Sequence, residues 1–329
     1  MKKIVSLLLA ALLTAGLFAG CGQTEAVPTE APQPTQSPEE EKMLKILIIG
    51  NSHSNDAFWL LPNVFADQMP EQEVVLGIMY YSGCPIDKHI QFHTEQQAVY
   101  DYHRNIGGTW ETMSEVMLEH GLKDQAWDYV FLQAGRADLD DSLNLDGRRT
   151  LEKIVSEYVH EPYKLGWQNT WTSPNDPTFY APDFDPQPPS GYQEYLQTNY
   201  GMDLHTQYSK SVNRVVTNIV SDETYDKAIA AGAGVMYAHM VMGVPQTDLW
   251  RDYTHLADYG RLLAAYSFYT QFTGNQVTEV GIDSIPAATR VRRARVLGDL
   301  IVTEEMKQVI IDATAHALED PWYIPANSQ

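Results

Sequence analysis

The chain has 329 residues, 44% of them apolar and 11% aromatic, enough to build one large core. Its formal charge of -21 excludes nucleic acid as a partner, because phosphate backbones are held by clustered Lys and Arg. With only Cys21 and Cys84 the fold rests on packing, not on a disulfide framework.

Residues 1–20 read as a lipoprotein signal peptide. Lys2 and Lys3 form a basic start, and Ile4 to Leu17 is apolar but short for a membrane span. The stretch ends in Leu17-Phe18-Ala19-Gly20-Cys21, which resembles a bacterial lipobox. Acyl chains on Cys21 are expected to tether the protein to the outer face of a bacterial membrane. Residues 21–42 are rich in Pro, Thr, Glu and Gln and carry too few apolar side chains to fold, so they read as a disordered linker. A single domain is expected over 43–329.

Within it, apolar β-branched runs alternate with helix-like runs, the pattern of an α/β fold with a central parallel sheet. Expected strands are Leu44–Ile49, Val74–Tyr80, Tyr129–Gln133 and Tyr163–Trp171, with Gly232–Tyr237 as a fifth. Expected helices are Glu95–His120, Leu145–His160, Leu204–Ile219, His255–Phe272 and Glu304–Leu318. Thr303 caps the last, and Glu304 and Glu305 in its first turn suit the helix dipole. Residues 173–200 break the rhythm with six prolines and interleaved aromatics, which reads as an insertion in the domain.

Chemistry concentrates at two distant places. Gly50-Asn51-Ser52-His53 follows the first strand directly, so Ser52 is expected at the carboxyl end of the sheet, where open α/β sheets bind ligands. Asp252-Tyr253-Thr254-His255 sets an acid three residues before a histidine. Serine, histidine and aspartate are the parts of a hydrolytic nucleophile site: the imidazole takes the hydroxyl proton and the carboxylate fixes the imidazole tautomer. His89 and His93 are four apart and could share a metal on a helix, but no acid–histidine partner accompanies them, and no metal or cofactor is expected. Cys84 reads as a small buried residue, His53 as surface polarity, and Trp167 and Trp171 as core or cleft residues. Arg290, Arg292, Arg293 and Arg295 form a basic run that suits a solvated face or anionic lipid head groups.

Gly50-Asn51-Ser52, Gly83, the segment from Gln133 to Asp138, and Asp252 with His255 together resemble the SGNH (GDSL-like) hydrolase superfamily. The blocks from Ile49 to Ala57 and from His255 to Arg261 are most similar to a bacterial branch known as a domain of unknown function. The resemblance implies a three-layer α/β/α flavodoxin-like fold and ester hydrolysis, often of acetyl groups on carbohydrates, without a metal. It implies Ser52 as nucleophile, His255 as base, Asp252 as acid, and the N–H groups of Ser52 and Gly83 as oxyanion donors. The family's third block, Gly-x-Asn-Asp, supplies an asparagine donor; here Gly135-Arg136-Ala137-Asp138 has alanine in its place, and Gln133 offers a replacement amide. His89, Asn51 and Trp171 are expected to touch substrate. Two rival readings remain: a glycan-binding lipoprotein without catalysis, and a lipase-like esterase. The expected partners are a glycan or small-molecule ester and, through Cys21, a membrane.

Overall fold

The computed structural model describes residues 43–134, 145–174, 194, 196–198, 201, 203–286 and 299–325. The leader, Cys21, the linker, Gly135 to Asp138, most of the 173–200 insertion and the Arg290–Arg295 run lie outside the described residues.

A seven-stranded sheet organises the domain. Its strands are β1 (Leu44–Gly50), β2 (Val74–Tyr80), β3 (Tyr100–Ile106), β4 (Thr109–Val116), β5 (Tyr129–Leu132), β6 (Lys164–Asn169) and β7 (Tyr225–Ala230). They lie in the order β4-β3-β2-β1-β5-β6-β7. The five from β2 to β7 in that order run parallel, and the β3–β4 hairpin joins the β2 edge antiparallel. β1 shows why a parallel strand is apolar throughout: Ile46 and Ile48 pack into one core, Leu47 and Ile49 into the other, and all four are fully buried. Burying each such side chain contributes about 1.5–3 kcal/mol.

Helices cover both faces of the sheet. The Ile46 side receives α1 (Ser52–Phe58), α2 (Leu61–Gln68), α7 (Ala233–Met240), α9 (Asp258–Thr273) and α10 (Glu304–Glu319). The Leu47 side receives α3 (Ile86–Thr94), α4 (Leu118–Asp124) and α5 (Leu145–Tyr158). α6 (Leu204–Val215) ends in a π-helical turn, Val216–Val220, and the short α8 (Gln246–Leu249) precedes the Asp252–His255 segment. Thr303 does cap α10, accepting the Met306 N–H at 3.2 Å.

Two expectations fail. The helix expected over Glu95–His120 is the β3–β4 hairpin followed by the start of α4. Tyr100, Tyr102, Trp110, Thr109, Thr112 and Val116 favour strands. The pair Gly107-Gly108, with φ of 57° and 81°, makes the tight hairpin turn. The strand expected over Gly232–Tyr237 is α7, and the seventh strand lies just before it at Tyr225–Ala230. A short apolar run has no period that separates a buried strand from a buried helix. β7, an edge strand, carries Asp226 and Lys227 and was the less conspicuous of the two.

The chain leaves β1 toward β2 on one side and returns to β5 on the other. The carboxyl ends of β1 and β5 therefore flank the point where strand order reverses, the place where open α/β sheets form a crevice.

Candidate active site

Ser52 is the first residue of α1, and Asn51 caps that helix by accepting the His53 N–H at 3.0 Å. The turn from strand to helix is tight at Gly50: a Cβ there would collide with Ser54 Oγ and the Gln133 carboxamide. The other end of the Asn51 side chain donates to the Cys84 carbonyl at 3.2 Å. Asn51 is thus buried and spent on the protein itself, which corrects its expected contact with substrate.

The loop between α8 and α9 brings the second half. Ser52 Oγ lies 2.8 Å from His255 Nε2, and His255 Nδ1 lies 2.9 Å from both Asp252 carboxylate oxygens. Asp252 also accepts the Thr254 and His255 N–H groups at 3.0 and 2.8 Å, so the acid shapes its own loop. Burial works against the charged Asp252. The hydrogen bond and charge of His255 outweigh it, with help from those two N–H groups, and hold the carboxyl at about 2. All three residues keep part of their surface open.

Gly83 is exposed in the Tyr81–Cys84 turn, in the left-handed region at φ 61°. That turn docks beside Ser52 through Tyr81 N–H to the Gly50 carbonyl (3.3 Å) and through the Asn51–Cys84 bond. Gln133 follows β5 and is buried. Its side-chain oxygen accepts the Asn51 N–H and the Ser54 hydroxyl, each at 3.1 Å, which leaves the amide nitrogen as the donor end.

Three other expected residues sit differently. His89 is fully buried, its ring stacked on Tyr100 and its Nδ1 2.9 Å from the Tyr100 hydroxyl. It presents no surface to solvent, and His93, which is on the same helix, pairs with Glu119 at 2.6 Å. Trp171 is buried too: its indole N–H donates to the Thr254 carbonyl at 2.9 Å, bracing the His255 loop instead of offering a ring face. His53 does not face solvent. Its Nδ1 lies 3.2 Å from Asn51 Oδ1 and its Nε2 3.1 Å from Thr254 Oγ1, under the loop that folds over α1. Trp167 is core, edge-on to Tyr225.

Sequence reasoning gave no role to Asp56, Arg251, Arg261 or Thr254. Asp56, one turn after Ser52, is buried with Arg251 Nη1 at 3.0 Å and Arg261 Nε at 3.3 Å. Arg261, charged and directly before the apolar run Leu262-Leu263-Ala264-Ala265, was the available signal; α1 is polar from Ser52 to Asp56 and marked nothing out.

The fold and this centre define a mixed α/β protein whose helix-flanked, mostly parallel sheet carries a serine, a histidine and an aspartate in hydrogen-bonded series. Residues 45–297 match the model of a domain of unknown function, DUF4886, and the chain belongs to that family. It is similar to a crystal structure of a DUF4886 family protein from Bacteroides uniformis ATCC 8492, with a TM-score of 0.66 and 20% identity over 87% of this chain and 98% of that one. At this identity the likeness speaks for the fold. No curated protein matches the chain.

Proposed function

We propose that this protein is a serine ester hydrolase of SGNH type on a flavodoxin-like three-layer fold. The observation that carries the reading is the unbroken series Ser52 Oγ–His255 Nε2–Asp252, at 2.8 and 2.9 Å. A serine hydroxyl is a weak nucleophile until a neighbouring base takes its proton, and this one has an oriented base.

In the reaction, His255 Nε2 removes the Ser52 proton as Oγ attacks the ester carbonyl. The carbonyl oxygen becomes an oxyanion, held by the N–H groups of Ser52 and Gly83 and the Gln133 amide. His255 returns the proton to the departing alkoxide, leaving an acyl-serine and a free alcohol. Water, deprotonated by His255, then attacks the acyl carbon and releases the carboxylic acid and Ser52. Each oxyanion donor contributes about 2.7–4 kcal/mol to the barrier reduction.

The substrate class we favour is a carbohydrate O-acyl ester, acetyl first, on the strength of the family resemblance and the aromatic-rich 173–200 insertion. Anchoring through acylated Cys21 fits an enzyme that works outside the cell on a surface glycan; no helix among the described residues is long and apolar enough to cross a membrane. The test is turnover of p-nitrophenyl acetate and of an O-acetylated oligosaccharide by the purified protein beside Ser52→Ala. The wild type should hydrolyse both and the variant neither; equal rates would remove the enzyme and leave the glycan-binding lipoprotein.

A further inference from the structure

We infer that Asp56 is a positioning residue that holds the base-bearing loop to the nucleophile's own helix. The inference rests on the serine hydrolase reading. Asp56 follows Ser52 by four positions, so both side chains leave the same side of α1. Ser52 is the end that meets His255, and Asp56 is the end that meets the chain on either side of it.

The contacts bracket the loop. Asp56 Oδ2 accepts the N–H of Leu256, the residue directly after His255, at 2.9 Å. Asp56 Oδ1 accepts from Arg251 Nη1, the residue directly before Asp252, at 3.0 Å. Arg251 closes the same loop upon itself: its N–H donates to the His255 carbonyl at 2.9 Å, and its guanidinium also donates to the Leu256 carbonyl. Trp250 and Leu256 form a single antiparallel bridge at the neck. Beneath, Arg261 of α9 lies 3.3 Å from Asp56 Oδ1 and 3.2 Å from Asp258 Oδ1. Asp56 and Arg261 are each 1% exposed, and Arg251 Nε stands 4.0 Å from Asp252 Oδ2. Charge alternates from Asp56 through Arg251 to Asp252, and Asp252 bonds the imidazole that meets Ser52.

A buried carboxylate with two guanidiniums is a costly way to fill space, since apolar residues of like volume often serve as well or better. What an ion group adds is a fixed direction for each hydrogen bond. Here those directions fall on the Leu256 N–H and the Arg251 guanidinium, which belong to the two residues that flank the acid and the base. Displacement of a catalytic group by about 1 Å costs on the order of 10²-fold in rate.

The experiment compares wild type, Asp56→Asn and Arg251→Gln. Asn keeps an acceptor for the Leu256 N–H and loses the charge that binds both guanidiniums. Gln at 251 leaves Asp56, Leu256 and Arg261 intact and serves if Asp56→Asn does not fold. Three readouts are taken on folded protein: kcat and KM for p-nitrophenyl acetate, the downfield proton resonance of the His255–Asp252 hydrogen bond, and hydrogen exchange at the Leu256 amide. We expect kcat to fall on the order of 10²-fold with KM unchanged. The resonance should shift or broaden, and Leu256 exchange should speed up. Wild-type kcat, resonance and exchange in a folded variant would overturn the assignment. If the wild type hydrolyses no ester, the enzyme reading fails by itself; the resonance and Leu256 exchange then still decide whether Asp56 holds the loop.

Discussion

The side-chain oxygen of Gln133 sits 3.1 Å from the Asn51 amide nitrogen and 3.1 Å from Ser54 Oγ, so the end of β5 is bonded to the turn that presents Ser52. The same bonds settle which end of the carboxamide is oxygen. A glutamate at this position keeps both acceptor bonds and removes the donor. Gln133→Glu puts a carboxylate where only 1% of the residue is exposed, so it is expected to be less stable than the wild type. It should lose at least on the order of 10²–10³ in kcat, from the missing oxyanion donor and the added negative charge together. Gln133→Ala also removes the two bonds, at about 1 kcal/mol each, and should lower stability as well as rate. Steady-state kinetics with thermal unfolding of both variants check this; a fully active Gln133→Glu would assign Gln133 to architecture alone.

Asp252 is expected to carry orientation and charge together. Asp252→Asn keeps the shape, but an amide no longer favours the tautomer with a proton on His255 Nδ1. A fall on the order of 10⁴-fold in kcat follows, with ester affinity retained. The pH behaviour has a definite sign. The folded carboxyl stands at about 2, below its ordinary 3.8, so the unfolded chain takes up its proton first as pH drops. The stability it contributes is complete above about pH 4 and is lost as pH falls toward 2. No acid limb of a pH–rate profile above about pH 4 should therefore belong to Asp252, and the limbs of wild type and Asp252→Asn compared in that range should not differ by an added ionisation.

How far the sequence reached depends on how local each signal is. β1, β2 and β5 were legible because a parallel strand is apolar on both faces, and Ser52 because a glycine turn follows such a strand. Asp252 and His255 were legible as a short spaced pair, although only folding brings His255 across 203 positions to Ser52. The β3–β4 hairpin was missed because its outer strand leaves most side chains exposed, so its polar residues mimic a solvated helix. His53, Trp171 and Asn51 were misplaced for a common reason. Each is polar or amphipathic and adjoins Ser52 or the His255 loop, yet each is consumed by bonds inside the protein, and such bonds leave no trace in spacing. Asp56 and its arginines escaped for the same reason: their partners lie far away in sequence.

Cys84 neighbours Gly83, yet its thiol is fully buried, and burial pushes it up to about 12, with Lys88 lowering and Asp87 raising it by smaller amounts. A protonated, enclosed thiol is a poor nucleophile. Iodoacetamide at about pH 8 should leave Cys84 unmodified in the folded protein and alkylate it in denaturant, as peptide mapping would show. Ester hydrolysis should survive that treatment. Modification of native Cys84 would mean that the Tyr81–Cys84 turn opens readily.

His89 gives the fold a sensitivity to acid separate from the Ser52–His255–Asp252 series. Burial holds its imidazole at about 3, against an ordinary 6.5, while Tyr100 bonds it in the neutral form. The unfolded chain binds this proton near pH 6.5 and the folded chain does not. Its contribution to stability is thus complete above about pH 6.5 and declines as pH falls toward 3, by up to about 1.4 kcal/mol per pH unit. His89→Gln can still bond the Tyr100 hydroxyl but cannot titrate. Urea unfolding from about pH 7 to pH 4 should give the variant a lower stability at neutral pH and a shallower decline, by close to one proton's slope. Parallel curves for the two proteins would show that the His89 site opens to water before the domain unfolds, and that its imidazole is charged in the native state.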